Sequence, residues 1–183
     1  MATIRFTSHL VRHRPAPAIL AEGATLAEVM GRGLNDDTLY PDRIWCQHHC
    51  GIYVSDDGGH TFRESKNVAP ASFGFGVAPH PHDRDRAWFV PAQKDEYRVP
   101  VGGKLVVTET RDGGHSYVQH DTGLPKADCW DLIYRHAVVA DGSGMRVAMG
   151  STTGNLWLSA DEGRNWQHLS AHLPPIAALA FAP

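Results

Sequence analysis

Ser55-Asp56-Asp57-Gly58-Gly59-His60-Thr61-Phe62 returns twice along the chain, as TRDGGHSY from Thr110 to Tyr117 and as SADEGRNW from Ser159 to Trp166. All three octets fit S/T-x-D-x-G-x-x-aromatic, with Asp57, Asp112 and Asp161 third, Gly59, Gly114 and Gly163 fifth, and Phe62, Tyr117 and Trp166 last. Such regular recurrence marks a stacked or radial repeat in which each unit is one small sheet. Within the octet, the Asp carboxylate can accept N–H bonds from the turn it opens. The Gly takes φ > 0 at no steric cost, and the ring packs the returning strand. Calcium binding is the competing reading of an Asp- and Gly-rich turn, but one carboxylate falls far short of the roughly six to eight oxygens that ion takes.

Alternating or apolar runs precede the octets (GIYV, KLVVTE, NLWLSA) and short polar strands follow them (TFRES, SYVQH, NWQHL), so each unit reads strand, turn, strand. On these residues the chain resembles the BNR or Asp-box repeats of sialidases, sortilin-type receptors and bacterial propellers annotated among glycosyl hydrolases. The resemblance covers residues 39–183. It implies an all-β fold: a partial, about three-bladed β-propeller of four-stranded antiparallel blades at 39–69, 70–122 and 128–172, with a closing strand at 176–182. It implies little about activity, since Asp-boxes lie away from the catalytic centre of the sialidases that carry them.

Residues 1–33 read differently. TIRFTSHLV places Ile4, Phe6 and Leu10 on one strand face, PAILAEG (17–23) offers a hairpin partner, and Thr25-x-x-Glu28 is a capping box opening a short helix. This strand-strand-helix order resembles the start of a MoaD/ThiS-type ubiquitin-like sulfur carrier. The chain ends Phe181-Ala182-Pro183, without that family's glycylglycine tail, so no sulfur-transfer role carries over. An irregular blade is the other reading of this segment.

Composition suits many short strands: 183 residues, 42% hydrophobic, with 18 Gly and 12 Pro. A net charge of −3 provides no basic field for nucleic acid or anionic lipid, and no apolar stretch approaches the roughly 20 residues of a membrane span. Neither partner is expected. Three cysteines without an apolar leader predict free thiols and a cytoplasmic location. Three blades are fewer than the roughly four to eight of a closed ring, so self-association through unpaired blade edges is expected. Trp45, Trp88, Trp130 and Trp157 are expected between blades.

Three constellations can carry chemistry. CQHHC, residues 46–50, puts Cys46, His48 and Cys50 on one strand face, and His82 of HPHD adds a further ligand for zinc or copper. No other cofactor is indicated. Tyr97-Arg98-Val99-Pro100 is similar to the F/Y-R-I-P element of sialidases, whose Arg pairs with a substrate carboxylate, although here it lies between the first and second octets. Arg98 is thus a candidate carboxylate-binding residue. Hydrolysis of a glycosidic bond needs two carboxyls about 5–10 Å apart. Glu64, Glu96, Glu109, Asp121, Asp128 and Asp131 are not paired by spacing, so the catalytic residues are unassigned. Three functions follow: a non-catalytic binding or scaffold module for a carbohydrate or protein ligand, its surface set by loops 92–103 and 126–131; a sialidase-like glycosyl hydrolase or its remnant; or a metal-binding protein.

Overall fold

A computed structural model describes residues 40–182 and the short strand β1 (Ile4–Arg5). The hairpin partner, the helix and the sulfur-carrier reading proposed for residues 1–33 otherwise lie outside the described residues. The described chain is all-β, its one helical piece a 3-10 turn at Val101–Gly103. No helix among the described residues is long and apolar enough to cross a membrane.

Three antiparallel sheets follow one another along the chain. The first holds β2 (Ile44–His48), β3 (Gly51–Ser55) and β4 (Arg63–Ser65) in the order β2-β3-β4. The second holds β5 (Gly74–Pro79), β6 (Ala87–Pro91), β7 (Val107–Thr110) and β8 (Val118–His120), again in chain order. The third is β9 (Val138–Ala140), β10 (Val147–Gly150), β11 (Leu156–Ser159) and β12 (Gln167–Ser170), a four-stranded meander like the second. Each octet joins the last two strands of its sheet, as the strand-turn-strand reading requires. The first sheet lacks an opening strand among the described residues. The closing segment forms β13 (Ala180–Phe181), whose partner is β1, with Ile4 opposite Phe181.

Because neighbouring strands run in opposite directions, each blade has two distinct ends. The octets share one end with the turns that lead into β2, β6 and β10. The opposite end, here the hairpin end, carries the β2–β3 turn, the insertion after β6, the β10–β11 turn and the links between blades.

The core lies between sheets. Trp45, Ile52 and Val54 of the first blade pack with Val77, Ala87 and Phe89 of the second, and a larger cluster joins Trp88, Val107, Val147, Met149 and Trp157. Trp45, Trp88 and Trp157 are buried as expected, but Trp130 is 68% exposed on the link before β9 and fills no gap. Removing an indole of about 200 Å² from water at about 25 cal/mol per Å² is worth about 5 kcal/mol, so these tryptophans dominate the joints.

Candidate functional site

The octets bear the most regular chemistry of the chain. In each, the opening hydroxyl donates to the Asp and accepts the N–H of the fifth-position Gly: Ser55 Oγ lies 2.8 Å from Asp57 Oδ1 and 2.8 Å from Gly59 N. Thr110 and Ser159 repeat this within 2.9 Å of Asp112 and Asp161 and of Gly114 and Gly163. The Asp then accepts both the N–H and the side chain of the seventh residue, Thr61, Ser116 or Asn165. These bonds hold the carboxyls below the ordinary range. For Asp57 the Thr61 hydroxyl contributes most, and for Asp112 the bonds outweigh burial and bring the value down to about 2. The hydrogen bonds that these carboxylates accept all come from their own turns, so the octets close hairpins.

Their fourth residues dock on the same blade's entry turn: the N–H groups of Gly58, Gly113 and Glu162 donate to the carbonyls of Asp42, Asp85 and Met145. Each acceptor precedes an arginine, Arg43, Arg86 or Arg146, which opens the next strand. In the first two blades a tryptophan follows two positions on. Arg86 lies 4.9 Å from the Trp88 ring and bridges Glu109 at 2.5 Å to Glu162 of the third blade at 3.0 Å, while Trp88 Nε1 donates to the Glu162 carbonyl. Burial raises Glu109, but bonds from His120, Arg111 and Arg86 prevail and hold it down to about 2. This charge network is a joint between blades.

The hairpin end is organised differently. The loops at 92–103 and 126–131 meet there, Cys129 N donating to the Gly103 carbonyl at 3.0 Å. Buried Asp131 pins the link by accepting from Ser151 at 2.6 Å, Asn155 at 2.7 Å, Thr153 and the Cys129 thiol. Phe75 of β5 is half-buried against Phe73 and is flanked by Tyr134 at 6.1 Å. Two guanidinium groups lie over it, Arg98 at 5.5 Å and Arg135 at 5.7 Å. Arg98 is also held by Asp95 of its own loop, whereas exposed Arg135 makes no ion pair among the described residues.

The expected metal set is divided. Cys46 is 1% exposed in the core between blades, and burial pushes its thiol up to about 11. His82 sits at the octet end, its Nε2 2.7 Å from the Gly142 carbonyl. Only His48 and Cys50 come together, joined by His49, because β2 stops at His48 and the turn redirects the next two side chains. Burial, then His49 and Arg135, lowers the His48 pKa. Phe75, Tyr134 and Arg135 carry no local motif, and only strand topology brings them beside Arg98.

No family model matches the chain, and no curated protein does. Among solved structures, it is similar to YCF48 bound to D1 peptide, with 21% identity over 78% of this chain and a TM-score of 0.52. It is also similar to an ancestral GH74 enzyme (19% identity, 74% of this chain, TM-score 0.56) and to the GH74 xyloglucanase from Xanthomonas campestris (19%, 69%, 0.54). The chain spans 41%, 18% and 19% of these three chains. These likenesses establish the β-propeller fold.

Proposed function

We propose that the chain is a non-catalytic propeller module built on Asp-box repeats, whose hairpin end captures a carboxylate-bearing peptide segment. The observation that carries this reading is the pair Arg98 and Arg135 over one phenyl ring, with Arg135 unopposed by any described acid. A guanidinium offers a planar fork of donors that fits a carboxylate, and an aromatic floor lowers the local dielectric in which that pairing operates. Exposed Tyr134 flanks the pair's phenyl ring, and the loops at 92–103 and 126–131 expose Tyr97 and Trp130, residue types that anchor protein ligands. That one solved neighbour is bound to a peptide is in keeping with such a role.

Hydrolysis would need a free pair of carboxyls across a cleft. The buried acids Glu109, Asp131 and Asp141 are each engaged by cationic or hydroxyl partners, which favours binding over turnover. Three free thiols, two of them buried, fit the reducing cytoplasmic setting expected from the sequence.

The test is calorimetry of the full chain with an Asp- and Glu-rich peptide bearing a free C-terminal carboxylate, beside its neutral, amidated counterpart. Saturable binding of the acidic peptide alone is expected, weakened more than about tenfold in Arg135→Ala and reduced by added salt. Equal affinity for the two peptides, or an unchanged Arg135→Ala, refutes the reading. Turnover of fluorogenic glycosides, a sialoside among them, would replace it with the glycosyl hydrolase alternative.

A further inference from the structure

The turn between β2 and β3 gathers three metal-ligating side chains used neither by the blade joints nor by the arginine patch. The ligand atoms of His48, His49 and Cys50 all lie within 4.8 Å of one another, with the imidazole centroids 3.8 Å apart. Consecutive residues of an extended strand point to opposite faces, so this convergence depends on the chain reversing at His49-Cys50.

Zinc-class ions take imidazole nitrogen and thiolate sulfur at about 2.0–2.3 Å, which places ligand atoms of a tetrahedron about 3.3–3.8 Å apart. The cluster is looser than that by at most about 1 Å, a closure that rotamer changes supply at a turn whose His49 and Cys50 are exposed. His48 Nδ1 already turns its lone pair toward the turn, accepting the Cys50 N–H at 3.2 Å. A cation competes there with one long, solvent-exposed bond.

We propose that His48, His49 and Cys50 bind a zinc-class divalent cation through two neutral imidazoles and one thiolate, leaving a fourth position open. On binding, the Cys50 thiol releases its proton to solvent as the metal–sulfur bond forms, and nothing is oxidised or reduced. Three protein ligands with one vacant position is the arrangement of metal sites that admit water or an exogenous ligand. The inference stands apart from the peptide-binding reading and requires neither Arg98 nor Arg135.

Metal-free full chain is titrated with Co²⁺ and then with Zn²⁺. One equivalent of cobalt should produce a thiolate-to-cobalt charge-transfer band that equimolar zinc abolishes. Cys50→Ser should remove the band although Cys46 and Cys129 remain. His48→Ala and His49→Ala should each weaken zinc binding more than about tenfold, since even residues that only orient a ligand contribute that much, while His82→Ala stays within about twofold. No charge-transfer band in the unaltered chain, a band that survives Cys50→Ser, or a loss in His82→Ala as large as in His48→Ala each overturns the assignment. Persistence of cobalt binding in Arg135→Ala separates this outcome from failure of the peptide reading.

Discussion

At the octet end nearly every charge has a partner, and at the hairpin end Arg135, His49 and Cys50 stand in solvent with none assigned. Both ends are made by the same blades, yet they solve different problems. The octet end spends its polar groups on closing turns and fastening neighbours: Glu109 serves Arg86, Arg111 and His120 while Arg86 reaches on to Glu162. Glu109 and Arg86, so committed, have little capacity left for a ligand. The hairpin end leaves the Arg135 guanidinium available over an aromatic ring and the His49 and Cys50 side chains exposed, where binding displaces at most a long, solvent-exposed hydrogen bond.

The largest expected break in this contrast is Glu109→Ala. The carboxylate is 1% exposed, and removing it leaves the Arg86 guanidinium, itself 8% exposed, with Glu162 alone. Breaking a buried pair from one side costs about 3–5 kcal/mol, so the urea midpoint should fall steeply. Arg135→Ala, at the other end, should stay within about 0.5 kcal/mol, as exposed substitutions usually do. Equal losses at the two sites would erase the distinction.

How far the sequence reveals each end follows from the range of the interactions. Asp57, Gly59 and Thr61 meet inside one octet, so their spacing alone encodes the turn. The joints are harder to see: Arg43-x-Trp45 and Arg86-x-Trp88 repeat visibly, but Glu162, the partner of Arg86, belongs to another blade. Strand alternation groups Cys46 with Cys50, yet it stops applying where β2 ends, and Cys46 is claimed by the core. Arg98 stands out through its Tyr-Arg-Val-Pro context. Arg135 and Phe75 join it only because the blades bring the ends of β5 and the link before β9 together.

A smaller effect sharpens the electrostatic side of the comparison. Glu109 and Asp112 both sit near 2 when folded, against about 4 for unfolded carboxylates. A depressed pKa means that the unfolded chain binds more protons between these values, so their contribution is complete above about pH 4 and is lost as pH falls through about 2. Below about pH 5 the urea midpoint should decline as these carboxylates protonate, less steeply in Glu109→Gln. Asp112→Ala, which loses bonds from the buried Thr110 hydroxyl and from the exposed turn, should cost about 1–2 kcal/mol at neutral pH and also soften the decline. A midpoint insensitive to acid would show that the octet carboxylates are not held by these bonds.

The finest comparison is within the octets. The fourth residue is left-handed in all three, φ +69 at Gly58, +70 at Gly113 and +64 at Glu162, so only the third octet places a side chain where glycine is at ease. Conformations of this kind cost about 1 kcal/mol for a residue with a Cβ. Glu162 keeps its place because its carboxylate holds Arg86 across the joint and Arg164 within its own octet. Glu162→Ala removes the ion pairs and retains the strain, whereas Glu162→Gly removes both. The glycine variant should therefore be about 1 kcal/mol more stable than the alanine variant, a reversal of the usual preference of strands and helices for alanine. The alanine variant's deficit against the unaltered chain then measures the ion pairs, and an alanine variant as stable as the glycine one would mean that the third turn relaxes out of the shared geometry.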